Sequence, residues 1–469
     1  MLATAAPFGS LRTRVRIRVR SSGRFADELA PGTSDIAMSS IKLTIIAVVL
    51  SGAVLGRPIE LYVESPQPDA PEVALSHIRA DIKSLLATPQ PELFQKHLQS
   101  VLALCEDSVL KLQFAGADRD AQAKELVGYL ETIESSLKNG DVRRSETYLV
   151  EGRRSLDLAR LSRSDGTLQF YTLSFPARWN ASKAYPLHIY LHGRESDLPL
   201  SVVASTFTLE PNGEQPNDTA IIVVPWLRGN GEWRNENGSE PDVWEVIEDV
   251  KTFAKIDPDR RYISGHSWGG DDVWAIVLRT PDLWAAAGIM AGSAASVPAQ
   301  LNLVANAKHV PFYLWKGEQD PIPNRQANLQ YFRDSLTQVD DPPRVVVAEG
   351  VAHNPRPKDR AAMQTWLFEH VRQRPNHFSF VIDTPQHRGI WGISIPQKYP
   401  DAYLNVEPQV SFECWIKDST VQITTANSSR LDVDFGPGGM NLAGTVKLIV
   451  NGKQIFDGSV PSKALSLTW

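Results

Sequence analysis

From residue 73 to about residue 138, apolar side chains recur at spacings of three and four. Ile78, Ile82, Leu85 and Leu86 form one set, Phe94, Leu98, Val101, Leu102 and Leu104 a second, and Leu126, Leu130, Ile133 and Leu137 a third. That spacing draws a stripe down one side of a helix, and Pro89, Pro91 and Gly116 cut the region into separate helices. Past residue 147 the rhythm changes to short apolar runs at 168–173, 187–191, 220–224, 262–264, 287–290, 312–315 and 345–348. Helical patterns separate them, such as Val243, Ile247, Val250 and Phe253, or Leu329, Phe332 and Leu336. Continuous apolar strands alternating with helices predict the α/β class: a mostly parallel sheet with helices on both faces. After a helical stretch at 361–371 the pattern becomes short strands at 378–382, 421–425, 431–435, 446–450 and 453–456, with Asn451-Gly452 as a hairpin turn. The expected organisation is an N-terminal helical segment (57–146), an α/β domain (147–376) and a C-terminal β-sandwich-like accessory domain (377–469).

The first 56 residues follow neither rhythm. Six arginines lie between Arg12 and Arg24, and Met38-Ser39-Ser40-Ile41-Lys42 then precedes an apolar run over 43–56 with small residues at Ser51, Ala53 and Gly56. A positive start, a short apolar core and small residues make the order of an export signal. The reading is a leader at 1–56 whose true start is Met38, and a secreted or periplasmic protein. No run of about 20 apolar residues appears, so stable membrane insertion is not expected. The 469 residues carry 48 basic and 54 acidic side chains, a net charge of −6, which argues against nucleic acid as a partner. Two cysteines, Cys105 and Cys414, allow one bridge at most and no cysteine-based metal site. No metal-ligand cluster or phosphate loop stands out, so no cofactor is implied.

Parallel sheets place their working residues in the loops beyond the carboxyl ends of the strands. One such loop carries Gly265-His266-Ser267-Trp268-Gly269-Gly270, between a strand and a helical pattern. A serine projecting from a sharp strand-to-helix turn needs small neighbours, because a Cβ at either flank would clash. Serine needs a base to become a nucleophile. The chain order expected for this arrangement is serine, acid, histidine. Asp320 follows the strand at 312–315 and His353 follows the strand at 345–348. His353 would take the serine proton, and Asp320 would orient the imidazole. Glu318 is the alternative acid, and His266 reads as packing. Tyr190-Leu191-His192-Gly193-Arg194 ends another strand, where the backbone N–H of Arg194 or Gly193, with that of Trp268, would form an oxyanion hole.

Together the segment 256–270, the His192-Gly193 turn, Gly317-Glu318-Gln319-Asp320 and His353 resemble the α/β-hydrolase superfamily. The nearest type is the secreted esterases of the polyhydroxybutyrate-depolymerase and feruloyl-esterase kind, with a catalytic domain that also looks like that of prolyl oligopeptidase. The resemblance covers roughly residues 147–375 and implies Ser267 as nucleophile, Asp320 as acid and His353 as base. It implies cleavage of a small-molecule or polymer-linked carboxylic ester through an acyl-enzyme. A prolyl-oligopeptidase-type serine peptidase and a non-catalytic binding protein on the same fold stay open as alternatives. Trp268 stands where this group often has Met. Helices, not the β-propeller of a true prolyl oligopeptidase, precede residue 147. Trp226 and Trp233 belong to a loop that would supply a substrate pocket or simply a solvated turn. In the C-terminal domain, carbohydrate contact through Trp391 or Tyr403 stands against plain packing.

Overall fold

The computed structural model describes residues 70–89, 92–112, 119–138, 155–176, 179–193, 219–226, 240–292, 298–322, 336, 342–384, 386–396 and 410–469. The leader at 1–56, Arg194, Trp233 and Tyr403 lie outside these. Contacts group the chain into Met1–Val73 and Ala74–Trp469, and the second unit holds every contact discussed below.

Three helices come first: α1 (Ala70–Leu86), α2 (Glu92–Leu112) and α3 (Arg119–Lys138). Their apolar stripes meet in one core, where Ile78, Ile82, Leu98, Leu104, Leu126 and Leu130 are buried together with Phe170 and Trp226. Eight strands then form a single sheet: β1 (Ser155–Leu161), β2 (Leu168–Ser174), β3 (Ala184–Leu191), β4 (Ile221–Pro225), β5 (Lys255–His266), β6 (Ala286–Met290), β7 (Phe312–Gly317) and β8 (Arg344–Ala348). Their spatial order is β1-β2-β4-β3-β5-β6-β7-β8. Only β2 runs against the rest: β1 and β4 pair with it antiparallel, and β3 through β8 pair in parallel. Helices α4 (Glu240–Val250) and α5 (Trp268–Arg279) connect parallel strands, and α6 (Pro357–Phe368) follows β8. Val243, Ile247, Val273 and Val277 pack on one face of the sheet, whereas Met363 and Leu367 pack with Tyr262, Tyr313 and Trp315 on the other.

Helix α2 does more than cover apolar surface. β1 lies at the border of the sheet, where outward amides would be unpaired. The Asp157 N–H donates to His97 Nδ1 (3.0 Å) and the Ala159 N–H to Ser100 Oγ (2.8 Å). Lys96 pairs with Asp249 on α4 at 2.9 Å, tying the helix to the sheet's covering layer as well.

The C-terminal strands form two further sheets. One has the order β16-β15-β13-β12-β9, from β9 (His377–Ile382), β12 (Val410–Lys417), β13 (Thr420–Ala426), β15 (Thr445–Val450) and β16 (Lys453–Ser459). The other has the order β10-β11-β14-β17, from β10 (Gly389–Ile390), β11 (Ile393–Ser394), β14 (Arg430–Val433) and β17 (Leu465–Thr468). Alternate residues of both, including Phe378, Phe380, Phe412, Val421, Leu431 and Leu448, share one core. The expected turn at Asn451-Gly452 joins β15 to β16, with φ of 49° and 79°, as a tight hairpin of that type requires. Cys105 and Cys414 are both free and buried, one in each accessory core, and burial pushes each thiol up to about 12.

This β-rich part docks where α5 ends and β6 begins. The Arg279 guanidinium grips Asp383 through Nε (2.9 Å) and Nη2 (2.6 Å) on the same carboxylate oxygen. Asn306 pairs with the backbone of Val381 in both directions, donating from Nδ2 (2.9 Å) and accepting at Oδ1 (2.7 Å), as a neighbouring strand would. Trp391 sits at the tip of the β10–β11 hairpin with φ of 52°. Its N–H donates to Asp282 (3.0 Å), and the Arg372 guanidinium lies 5.0 Å over its ring. Trp391 is therefore engaged at this junction. Asp383→Ala leaves the nearly buried Arg279 without its partner and should cost about 3 kcal/mol. Urea unfolding should then show early release of the C-terminal strands, and an unchanged transition would remove the pair from the docking.

Candidate active site

The turn between β5 and α5 has almost no free volume. A Cβ on Gly265 would overlap the Gly269 carbonyl oxygen, and one on Gly269 would overlap the carbonyl oxygens of Leu191 and His192 at the end of β3. Hydrogen is the only substituent that fits either place. Between them Ser267 takes φ 56° and ψ −119°, a conformation that costs on the order of 1–3 kcal/mol for a residue with a side chain. The surroundings hold it there. The Ser267 N–H donates to Met290 O (2.9 Å), continuing the β5–β6 ladder, and its carbonyl accepts from the Asp271 N–H (3.1 Å) in the first turn of α5. Strand order and elbow together decide the architecture. The fold is that of an α/β-hydrolase.

Ser267, Asp320 and His353 come together from the ends of β5, β7 and β8. His353 Nε2 lies 3.0 Å from Ser267 Oγ, and His353 Nδ1 lies 3.0 Å from Asp320 Oδ2. The Asp320 side chain is 1% exposed and that of His353 22%, so the carboxylate is shielded while the imidazole reaches the surface. The other Asp320 oxygen accepts the Ile322 N–H at 3.1 Å. Glu318 is committed elsewhere, since its Oε2 accepts the Gly350 N–H at 2.9 Å. β7 and the His353 loop approach so closely that a Cβ on Gly317 would overlap the Ala352 carbonyl.

Gly193 lies directly against the elbow, where a Cβ would stand 3.2 Å from that of Ser267. Trp268 opens α5, so its N–H belongs to the positive end of that helix. Between Gly193 and Trp226, the buried His192 ring has Nδ1 2.6 Å from the Gly193 carbonyl and Nε2 3.0 Å from that of Trp226. Burial lowers its pKa, against the raising effect of the two carbonyl contacts. The Trp226 ring faces the other way. It is 4% exposed, packs edge-on to Phe170 at 5.7 Å and carries Lys111 Nζ 4.0 Å over its face. The structure thus takes this side chain into the core beneath α2, and its carbonyl meets the His192 ring.

His266 has a partner that its sequence neighbourhood does not disclose. Its Nε2 meets the carbonyl oxygen of His353 at 3.0 Å. The signal is absent from the local sequence because the partner is 87 positions downstream. Below the site, the fully buried His188 on β3 meets Ser264 Oγ on β5 at 2.7 Å. Among the described residues no group of three His, Cys, Asp or Glu side chains is arranged to hold a metal ion.

No family model matches the chain. A probable feruloyl esterase C of Aspergillus flavus is 29% identical over 131 residues, which are 27% of this chain and 47% of the fungal protein. The chain thus matches about half the length of such curated relatives. Among solved structures, the ferulic acid esterase of Anaeromyces mucronatus is 17% identical, covers 46% of this chain and 89% of its own, and superposes with a TM-score of 0.37. The S-formylglutathione hydrolase of Staphylococcus aureus is 19% identical, covers 46% and 98%, and gives 0.38.

Two outcomes are expected. Gly269→Ala should destabilise the protein by at least about 3 kcal/mol in chemical denaturation, because the added methyl meets backbone and not a flexible side chain; a variant of wild-type stability would refute the steric account. Burial lowers the His188 pKa to about 3, well below the usual histidine value of about 6.5. The unfolded chain therefore takes up this proton first, so the stabilisation present above about 6.5 is lost progressively as pH falls towards 3. In His188→Gln the slope of stability against pH in that window should shrink, and an identical slope would assign the acid sensitivity to other groups.

Proposed function

We propose that the chain is a serine hydrolase that cleaves carboxylic esters through an acyl-enzyme on Ser267. The observation carrying this reading is the continuous contact from Asp320 to His353 to Ser267 Oγ, assembled on a strained elbow. His353 Nε2 removes the hydroxyl proton as Oγ bonds to the ester carbonyl carbon. The oxygen turns into an oxyanion facing the Trp268 N–H and the turn at Gly193. A donor of that kind is worth about 3 kcal/mol of transition-state stabilisation. Collapse of the tetrahedral intermediate expels the alcohol, which takes the proton from His353. Water then attacks the acyl-enzyme, giving its proton to His353, and the carboxylic acid leaves as Ser267 is restored. Asp320 keeps the imidazole oriented and balances its transient positive charge.

The feruloyl esterase names of the Aspergillus relatives favour an ester, free or polymer-linked, over a peptide. The signal-like order of residues 38–56 favours work outside the cytoplasm.

A fluorophosphonate probe should label the wild type on Ser267 and leave Ser267→Ala unlabelled. The variant should also lose at least about 10⁴-fold in turnover of p-nitrophenyl esters. Absence of labelling in the wild type would refute the proposal, and faster turnover of peptide anilides would replace the ester substrate by a peptide.

A further inference from the structure

We infer that His266 is a positioning residue that holds His353 over Ser267. It is the last residue of β5 and immediately precedes the strained serine. The residue is 9% exposed, and its ring centroid lies 4.9 Å from that of His353. Nε2 stands 3.0 Å from the His353 carbonyl oxygen, an acceptor only, so this nitrogen carries the proton and donates it. The opposite nitrogen faces the turn after β3, where a Cβ on Gly193 would come within 3.4 Å of it. One side chain thus stands where the elbow, the turn after β3 and the His353 loop converge.

The His353 loop needs holding from two sides. It leaves β8 through Gly350 at φ 65°. On the β7 side, Glu318 accepts the Gly350 N–H at 2.9 Å and the Gln319 N–H donates to the Val351 carbonyl at 2.9 Å. Those bonds tie the loop to the segment carrying Asp320, and so set the distance between carboxylate and imidazole. They do not reach Ser267. His266 supplies that reach: it is bonded covalently to the serine and by hydrogen bond to the backbone of the residue that must deprotonate it. The imidazole has to satisfy Ser267 Oγ and Asp320 Oδ2 at once, and a misplacement of about 1 Å in such a site costs on the order of 100-fold in rate. Losing a group that acts in this way lowers kcat and leaves substrate binding almost untouched.

The kinetic part of this inference rests on the serine-hydrolase reading; the positional part does not. His266→Phe keeps a ring of similar size without the donor, and His266→Gln offers an amide N–H at nearly the same reach. In the phenylalanine variant kcat and the fluorophosphonate labelling rate should fall by about 10- to 100-fold with KM within about 3-fold. Amides of residues 349–355 should exchange with deuterium faster. The glutamine variant should restore both to near wild type. Wild-type kcat and exchange in His266→Phe would overturn the inference, as would a glutamine variant as impaired as the phenylalanine one. If His266→Phe does not fold, His266→Asn, whose amide is too short to reach, takes its place, and equal behaviour of Asn and Gln overturns the inference. A wild type that escapes the probe refutes the hydrolase reading alone, and the exchange contrast between variants still decides whether His266 pins the loop.

Discussion

The structure turns on a contact that tolerates nothing larger than hydrogen. Where β5 gives way to α5, the backbone at Gly265 meets that at Gly269, and Gly269 meets the end of β3. This crossing forces Ser267 into its positive φ and brings the Gly193 turn against it. The compensation comes from the sheet. Eight strands and their apolar flanks keep the ends of β3, β5, β6, β7 and β8 in register, so that a costly local geometry is carried by a large surrounding core. The remaining site geometry is consequent: Asp320 and His353 stand on neighbouring strand ends, and close backbone approach at Gly317 fixes their separation.

The accessory parts attach at other places. The N-terminal helices close the β1 border through His97 and Ser100. The C-terminal sheets grip the protein through Arg279, Asp282 and Asn306, at the end of α5 remote from Ser267. α5 has twelve residues, a span of about 18 Å at the usual rise. One helix therefore has the elbow at its head and the accessory domain at its tail. Neither attachment places a side chain between Asp320, His353 and Ser267.

Much of this arrangement is legible in the sequence wherever the constraint is local. The strands of the parallel sheet are continuous apolar runs, and the glycines flanking His266-Ser267-Trp268 announce a turn without room for side chains. The choice between Asp320 and Glu318 is harder, since two carboxylates two residues apart look alike in a string. What separates them is the Gly350 N–H, which Glu318 accepts from the loop after β8. Trp226 illustrates the opposite failure. Its position after a strand on the active edge suggests a pocket wall, but α2 arrives from more than 100 residues upstream and takes the indole into its own core. β12 falls outside the runs read from the sequence because the exposed Trp415 interrupts its alternation, although Val410, Phe412, Cys414 and Ile416 are all buried. The grip of Asn306 on Val381 leaves no sequence trace at all, because a side-chain amide that imitates a strand looks like any other asparagine.

The way α2 occupies β1 bears on how the molecule can be dissected. A fragment trimmed to the large sheet would uncover the amides of Asp157 and Ala159 along a twisted ribbon seven residues long. Such a ribbon is a template on which another polypeptide can align its own main chain. The helical prelude is in this sense a built-in chaperone for the barest part of the sheet, and its removal would yield a protein that sticks to its own copies.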